Sequence, residues 1–545
     1  MNKQLATLLL IVITSVTYGQ TNRYVVFFTD KGGSDIVYSL DSPQEFLTQK
    51  ALDRRSKQLI PLDSTDLPVH EAYVDDLKGL GISVYFTSRW MNAAILQTEE
   101  SNIPTIESQV FVDSVALIAE NERLVTDKIE VETPTTFEAP LTTSSNTDLQ
   151  LSMLQANLMH NDGITGEGMT IAVLDDGFVG VNQFQPFQHL WENDRIVGSK
   201  DFVENTGNVF RLGDHGTSVL STIAARFGDN VKGTAYDANF ILCITEEGGS
   251  EDRVEEFNWL LGAEYADSLG ADVINSSLGY RTFDIPEHDY TYEDLDGATT
   301  IVSRAAKLAA DKGIIVVVSA GNSGDNIDAT RRYVSAPGDA DGILTVASVN
   351  PDFTRTSFSS VGPSFDGRMK PDVAALGLAT TVTNGAGRIT RANGTSFASP
   401  LIAGLAAGIW QANPQWDSQE VMEAMKAAGH NASRPDSLLG FGVPFYSYAV
   451  EGKVLNVSDI IDERIAVYPN PFHGDKLYLR FSDPLRGKWQ LDITNAEGKT
   501  ILTDSYKATR REKILEFDIE NLEKGVYFLI LRSNKQRKAV KLLKF

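Results

Sequence analysis

The chain has 545 residues, 42% of them hydrophobic and 9% aromatic, too many for one ordinary core and too apolar for disorder, so several folded units are expected. A net charge of -25 argues against nucleic acid and against an anionic membrane surface as partners, since both require clustered Lys and Arg. Cys243 is the only cysteine, which excludes an internal disulfide, and its place in FILCI (240–244) reads as a buried structural thiol rather than a nucleophile.

Residues 1–19 carry Lys3, an apolar run too short to span a bilayer and then small residues, the layout of a cleaved secretory signal. From 20 to 120 the chain reads as a small α+β unit, with strands at Tyr24–Phe28, around Ser83–Phe86 and around Ala93–Leu96, and an amphipathic helix over Pro43–Leu59. Between 121 and 148 the apolar period fades into Thr, Glu, Pro and Ser, as in TPTTFEAPLTTSSN, which reads as an exposed linker open to proteases.

Residues 149–450 alternate β-branched runs with helical patterns. Strands are expected at MTIAVL (169–174), NFILCI (239–244), ADVINSSL (271–278), GIIVVVSA (313–320) and GILTVASV (342–349), with helices near 216–227, 251–269 and 299–312. Near-continuous apolar strands separated by helices point to a doubly wound α/β fold, a parallel sheet covered on both faces, whose reactive groups gather at the carboxyl ends of the strands. Asp175 directly follows the first of these strands and leads into Asp176-Gly177. His215 stands in GDHGTSV, where Asp214 is placed to cap the helix, and Asn322 follows GIIVVVSAG. Ser396, in GTSFASP, opens an apolar helix whose Pro400 suits a first turn.

A nucleophilic serine needs a base within hydrogen-bond reach, a buried carboxylate to orient that base and donors aimed at the developing oxyanion. His215, Asp175, and the Ser396 N–H with the Asn322 amide are candidates for these roles. Each alone has a plainer reading: a turn Asp-Gly, a helix-start histidine, a loop asparagine, a Gly-Thr-Ser helix entry. Together, IAVLDDG, DHGTSV, DVINSSLG, SAGN and GTSFASP stand in the order Asp, His, Ser. On these motifs the region from about 165 to 450 resembles the subtilisin-like serine proteases, whose members show that order.

The resemblance implies an endopeptidase that hydrolyses peptide bonds through an acyl-enzyme, with no cofactor needed for the chemistry. It implies that Ser277, Leu278 and Gly279 pair with extended peptide or protein substrate, and that Ala320 and Gly321 line the pocket for the residue before the cleaved bond. Three departures stand out: Leu376 in KPDVAALG where proline is usual, GTAYDA (233–238) in place of a common Gly-Val-Ala-Pro form, and Asp176 where Ser or Thr follows the catalytic aspartate. Asp175 is favoured over Asp176 as the histidine's partner, with Asp176 tying the loop or facing solvent. The family often binds calcium, which leaves a structural calcium open. Asp289, Asp294 and Asp296 in DIPEHDYTYEDLDG lack a complete calcium loop, and no metal ligand is assigned. The family commonly carries an N-terminal prodomain that assists folding and blocks the site, and FLTQKALDRRSKQLI (46–60) resembles a prodomain segment of secreted bacterial relatives. Residues 20–120 are therefore expected to be an inhibitory prodomain and a partner of the mature enzyme, cut away in the 121–148 linker, the alternative being a permanent accessory domain. The different-class alternative is a surface or binding protein on a catalytically silent scaffold, which loss of a triad member would favour. All of them are present.

After a second linker, 451–464, residues 465–545 alternate strand patterns with turns, as expected of a small β-sandwich. YPNPF, Asp492–Gly498, Gly525-Val526-Tyr527 and the closing Lys-Leu-Leu-Lys resemble the C-terminal sorting domain of the type IX secretion system of certain Gram-negative bacteria. That implies passage through the periplasm, outer-membrane secretion machinery as a partner, and a secreted or cell-surface product; the plainer alternative is a carbohydrate- or protein-binding β module.

Overall fold

A computed structural model describes residues 21–32, 38–120, 138, 141–142, 146–229, 231–451, 465–468, 476–481, 487–495, 499–508, 514–519, 522–532 and 537–544. The signal segment, most of the first linker, nearly all of the second and part of YPNPF lie outside these residues. The chain forms two compact units, Met1–Val37 with Pro68–Leu124, and Tyr38–Leu67 with Val125–Phe545.

The first unit is a four-stranded antiparallel sheet in the order β2-β3-β1-β4, with β1 Thr21–Phe28, β2 Ser83–Ser88, β3 Ala93–Glu99 and β4 Val112–Ala119. The helix Glu71–Gly79 turns Leu77 into a core with Val26, Phe28, Leu96 and Phe111. The apolar residues of β1 recur often enough to cover one face and fill the middle of the sheet.

The helix expected over 43–59 is broken. Pro43–Glu45 make a short 3-10 turn, and α1 begins at Gln49, with Thr48 Oγ1 accepting the Ala51 N–H, and ends at Lys57. This helix belongs to the second unit.

That unit is built on a seven-stranded parallel sheet in the order β11-β10-β9-β8-β5-β7-β6. The strands are β5 Thr170–Asp175, β6 Ile196–Asp201, β7 Asn239–Ile244, β8 Val273–Ser276, β9 Ile315–Ser319, β10 Leu344–Val349 and β11 Val373–Leu376. The strand order reverses between β5 and β8, so their carboxyl ends open the crevice where ligands bind in such folds. Helices α2 His215–Ala224, α3 Val254–Leu269, α4 Ile301–Asp311, α5 Thr395–Ala412 and α6 Ser418–Ala427 accompany the sheet. Cys243 is buried in β7, and burial pushes its thiol up out of the reactive range.

α5 is buried from Thr395 to Trp410 and packs on β8 to β11 and α2, which is why it reads as apolar on every side. Pro400 is the sixth residue of this helix, past the first turn where it was expected. A proline there has no N–H for the carbonyl four residues back, which is that of Ser396. The Ser277 hydroxyl donates to that carbonyl instead, at 2.8 Å. The sequence thus spends a helix bond to fasten the segment after β8 to the head of α5.

The C-terminal strands form two antiparallel sheets. Ile465–Tyr468, Lys476–Phe481 and Ile514–Asp518 make one, and Gly487–Asn495, Thr500–Ala508, Gly525–Arg532 and Arg537–Lys544 make the other. Leu477 and Leu479 of the first share a buried cluster with Leu491, Ile493, Leu529 and Leu531 of the second. Among the described residues no helix is long and apolar enough to cross a membrane.

Candidate active site

Asp175 is the last residue of β5 and has no exposed surface. Its Oδ1 lies 2.7 Å from His215 Nδ1 and accepts the Asp176 N–H at 3.0 Å. That geometry leaves the His215 Nε2 side of the ring directed away from the carboxylate. Burial alone would lower the His215 pKa. The charge and hydrogen bond of Asp175, helped by Asp176 and Asp214, outweigh it and raise the imidazolium to about 9.

The cap of α2 differs from expectation. Asp214 makes no side-chain bond to the helix; Asp176 Oδ1 accepts the Gly216 N–H at 3.0 Å. Gly213 permits this, since a Cβ there would sit 1.9 Å from Asp176 Oδ2. Asp176 is the loop-tying member of the pair. Burial and the neighbouring Asp175 raise its carboxyl to about 6.

Ser396, 8% exposed, is the second residue of α5, after Gly394 at φ 149°. Its Oγ donates to the Ser277 carbonyl at 3.3 Å. The His215 ring faces that of Phe397, the next residue, with centroids 5.8 Å apart. Asn322 follows β9, and its Oδ1 accepts the Thr395 N–H at 2.9 Å and the Thr395 hydroxyl at 3.1 Å. With the oxygen fixed this way, the amide NH2 is the end left for a ligand. Thr395 Oγ1 also accepts the Gly321 N–H at 3.2 Å, so one threonine aligns both residues.

A cavity of about 570 Å³ lies beside Ser396, and Ser277, Leu278, Gly279, Gly321 and Asn322 contribute to its walls. Ala320 is fully buried and gives its N–H to Val346 O, extending the strand. The glycines leave room for hydroxyls: a Cβ on Gly279 would meet Ser335 Oγ at 2.3 Å, and one on Gly321 would meet Ser360 Oγ at 3.0 Å. Sequence reasoning missed Thr395, Ser335, Ser360 and the pair Asn275 and Ser399, which are linked at 2.8 Å beneath Ser277. Small hydroxyl residues carry no periodic signal, and only folding brings these together.

Glu251 and Asp284 line the cavity together with Arg281 and Arg331, and the carboxylates of Glu246, Glu251 and Glu255 lie within 4.8 Å of one another. Burial, then repulsion from neighbouring glutamates, holds Glu246 and Glu255 well above the usual carboxylate range, while burial, then Asp284 and Asp252, raises Glu251 to about 7. The carboxylates of the 284–297 loop do not converge on a cation. Asp289 accepts from Phe283 N, Asp294 from Thr291 and Asp296 from Ala298 and Thr299. Among the described residues these three carboxylates do not form a group whose ligand atoms lie together.

Residues 166–442 match the profile of the subtilase family, 23–133 that of the peptidase S8 propeptide domain of Bacteroidota and 466–544 that of a secretion system C-terminal sorting domain. Subtilisin NAT of Bacillus subtilis subsp. natto is 31% identical over 281 residues, 51% of this chain and 64% of that protein. The subtilisin of Bacillus pumilus is 30% identical over 281 residues, 51% of this chain and 89% of that protein. The crystal structure of the epidermin leader peptide processing serine protease of Staphylococcus aureus shares the fold at TM-score 0.53 and 16% identity, covering 79% of this chain and 98% of that chain. The chain therefore spans about two thirds or less of the natto relative and most of the smaller one. The family profile covers half of the chain, including every residue of the crevice described above, and the chain belongs to the subtilase family.

Proposed function

We propose that the chain is a secreted serine endopeptidase made as a precursor, with Ser396 as nucleophile, His215 as base and Asp175 as the group that orients it. The observation that carries this reading is the 2.7 Å bond from a buried strand-end carboxylate to His215 Nδ1, in the crevice that also holds Ser396. Asp175 fixes the tautomer with the proton on Nδ1, so Nε2 is free to take the Ser396 proton. Ser396 Oγ turns from the Ser277 carbonyl to attack the substrate carbonyl. The oxyanion then meets the Ser396 N–H and the Asn322 amide, at the amino end of α5 where the helix dipole favours negative charge. His215 returns its proton to the departing amine, and water repeats the sequence on the acyl-enzyme.

Extended peptide pairs with the backbone of Ser277–Gly279, and its side chain before the cleaved bond enters the hydroxyl-lined cavity between Gly279 and Gly321. The α+β unit over residues matched by the propeptide profile acts as inhibitor until the chain is cut in the 121–148 linker. The C-terminal sheets, matched by the sorting-domain profile, direct export through outer-membrane machinery, with a secreted or surface-attached product.

Treatment of the folded protein with a fluorophosphonate probe tests this, with mass spectrometry of the labelled peptide and Ser396→Ala as control. Label on Ser396 alone is expected. Folded, processed protein that takes no label would overturn the reading in favour of a silent scaffold.

A further inference from the structure

Arg54 and Arg55 of α1 are 4% and 2% exposed, among the most deeply buried charges of the chain. Arg54 Nη2 lies 2.5 Å from Asp267 Oδ1 and Arg55 Nη2 lies 2.7 Å from Asp267 Oδ2, so one carboxylate of α3 holds both guanidinium groups. Arg55 Nη1 also lies 2.8 Å from Asp66, whose same oxygen lies 2.9 Å from Lys312 Nζ at the end of α4. Asp66 and Asp267 are fully buried, and Lys312 is 4% exposed. Buried charges persist only when paired, and here the partners come from both sides: Arg54, Arg55 and Asp66 from 38–67, Asp267 and Lys312 from the sheet-bearing body.

The backbone is paired across the same boundary. Thr48 N–H donates to Ser268 O at 2.9 Å, Arg54 Nη1 to Ala271 O at 2.6 Å, and Gln58 Nε2 to Gly313 O at 2.8 Å. The accepting carbonyls follow or close α3 and α4, where helices leave unsatisfied acceptors and a negative dipole end. The seat is shaped for its occupant: a Cβ on Gly270 would lie 2.8 Å from Lys50 Cβ, and one on Gly313 would lie 2.5 Å from Gln58 Nε2. Both glycines precede the first residues of β8 and β9, at the amino edge of the sheet. The candidate active site is at the carboxyl edge, so α1 blocks nothing there.

We infer that residues 38–67, although inside the region matched by the propeptide profile, are a permanent part of the catalytic body and stay docked on α3 and α4 after the chain is cut in the linker. The prosegment is then two devices, an α+β unit and a structural clamp. This rests on the ion-paired seat and does not depend on the proposed activity.

The test uses the full-length Ser396→Ala protein with a site-specific protease sequence inserted within 121–135, so that an added protease makes the cut. After native size exclusion, mass spectrometry is expected to find the N-terminal fragment with the catalytic body at equal amounts. Asp267→Ala, which strands two buried arginines, is expected to weaken that retention roughly a hundredfold or more. Because Asp267→Ala could misfold, hydrogen exchange is also read on the cut protein without that substitution. Amides of 49–57 protected like those of 254–269 support the inference. A fragment that elutes free, retention unchanged by Asp267→Ala in folded protein, or unprotected 49–57 amides would each overturn it.

Discussion

A histidine held as imidazolium up to about 9 cannot accept the Ser396 proton until its own proton is gone. kcat/KM is therefore expected to rise with pH through a single ionisation near 9, measured on a peptide substrate across pH 6 to 10.5. Stability runs the other way. The folded pKa is raised above the usual 6.5, so the Asp175–His215 contribution is fully present below about 6.5 and fades as pH passes 9. Glu251, raised to about 7, loses its contribution earlier, as pH rises from its ordinary carboxyl range through about 7. Asp175→Asn is expected to remove the high ionisation and lower kcat about 10⁴-fold by favouring the wrong tautomer. Asn322→Ala is expected to cost about 10²–10³ in kcat with little change in KM, the effect of losing the same kind of donor in subtilisin. A KM change alone would make Asn322 a binding residue. Asp175, His215, Asn322 and Ser396 were legible as candidates because each stands at or just past a strand end, or at a helix start, within its motif. Asp176 as cap was not, since proximity in sequence pointed to Asp214 and only the turn at Gly213 brings Asp176 over the helix.

At the level of elements, Pro400 and Ser277 form a coupled pair. Ser277→Ala leaves the Ser396 carbonyl without a donor and is expected to cost roughly 1–3 kcal/mol, read from urea midpoints. Pro400→Ala supplies the missing N–H, so Ser277→Ala should cost clearly less in that background. Equal costs in both backgrounds would show that the serine's bond does not compensate for the proline. The five inner strands could be read from sequence because residues buried on both faces are apolar without interruption. The edge strands β6 and β11 could not: IVGSKD is half polar and VAAL is short. α1 reads as an ordinary amphipathic surface helix, because nothing local reveals that its arginines meet Asp267, more than 200 residues away.

For the molecule as a whole, the C-terminal sheets have a buried cluster of their own. A chain ending at Glu451 is expected to keep the thermal midpoint of the catalytic body and to lose export from the producing cell; a large drop in midpoint would show that the tail supports the fold. Along the chain, the residues of the α+β unit, up to Val37 and from Pro68 onward, flank the stretch Tyr38–Leu67. If residues 38–67 stay docked as inferred, one cut in the linker leaves the proposed inhibitor on a leash. A leashed inhibitor faces its target at an effective concentration on the order of millimolar, however far the secreted protein is diluted. Dilution after secretion would then do little to free the active site, and activation would depend on further cutting within the leash or within the unit itself.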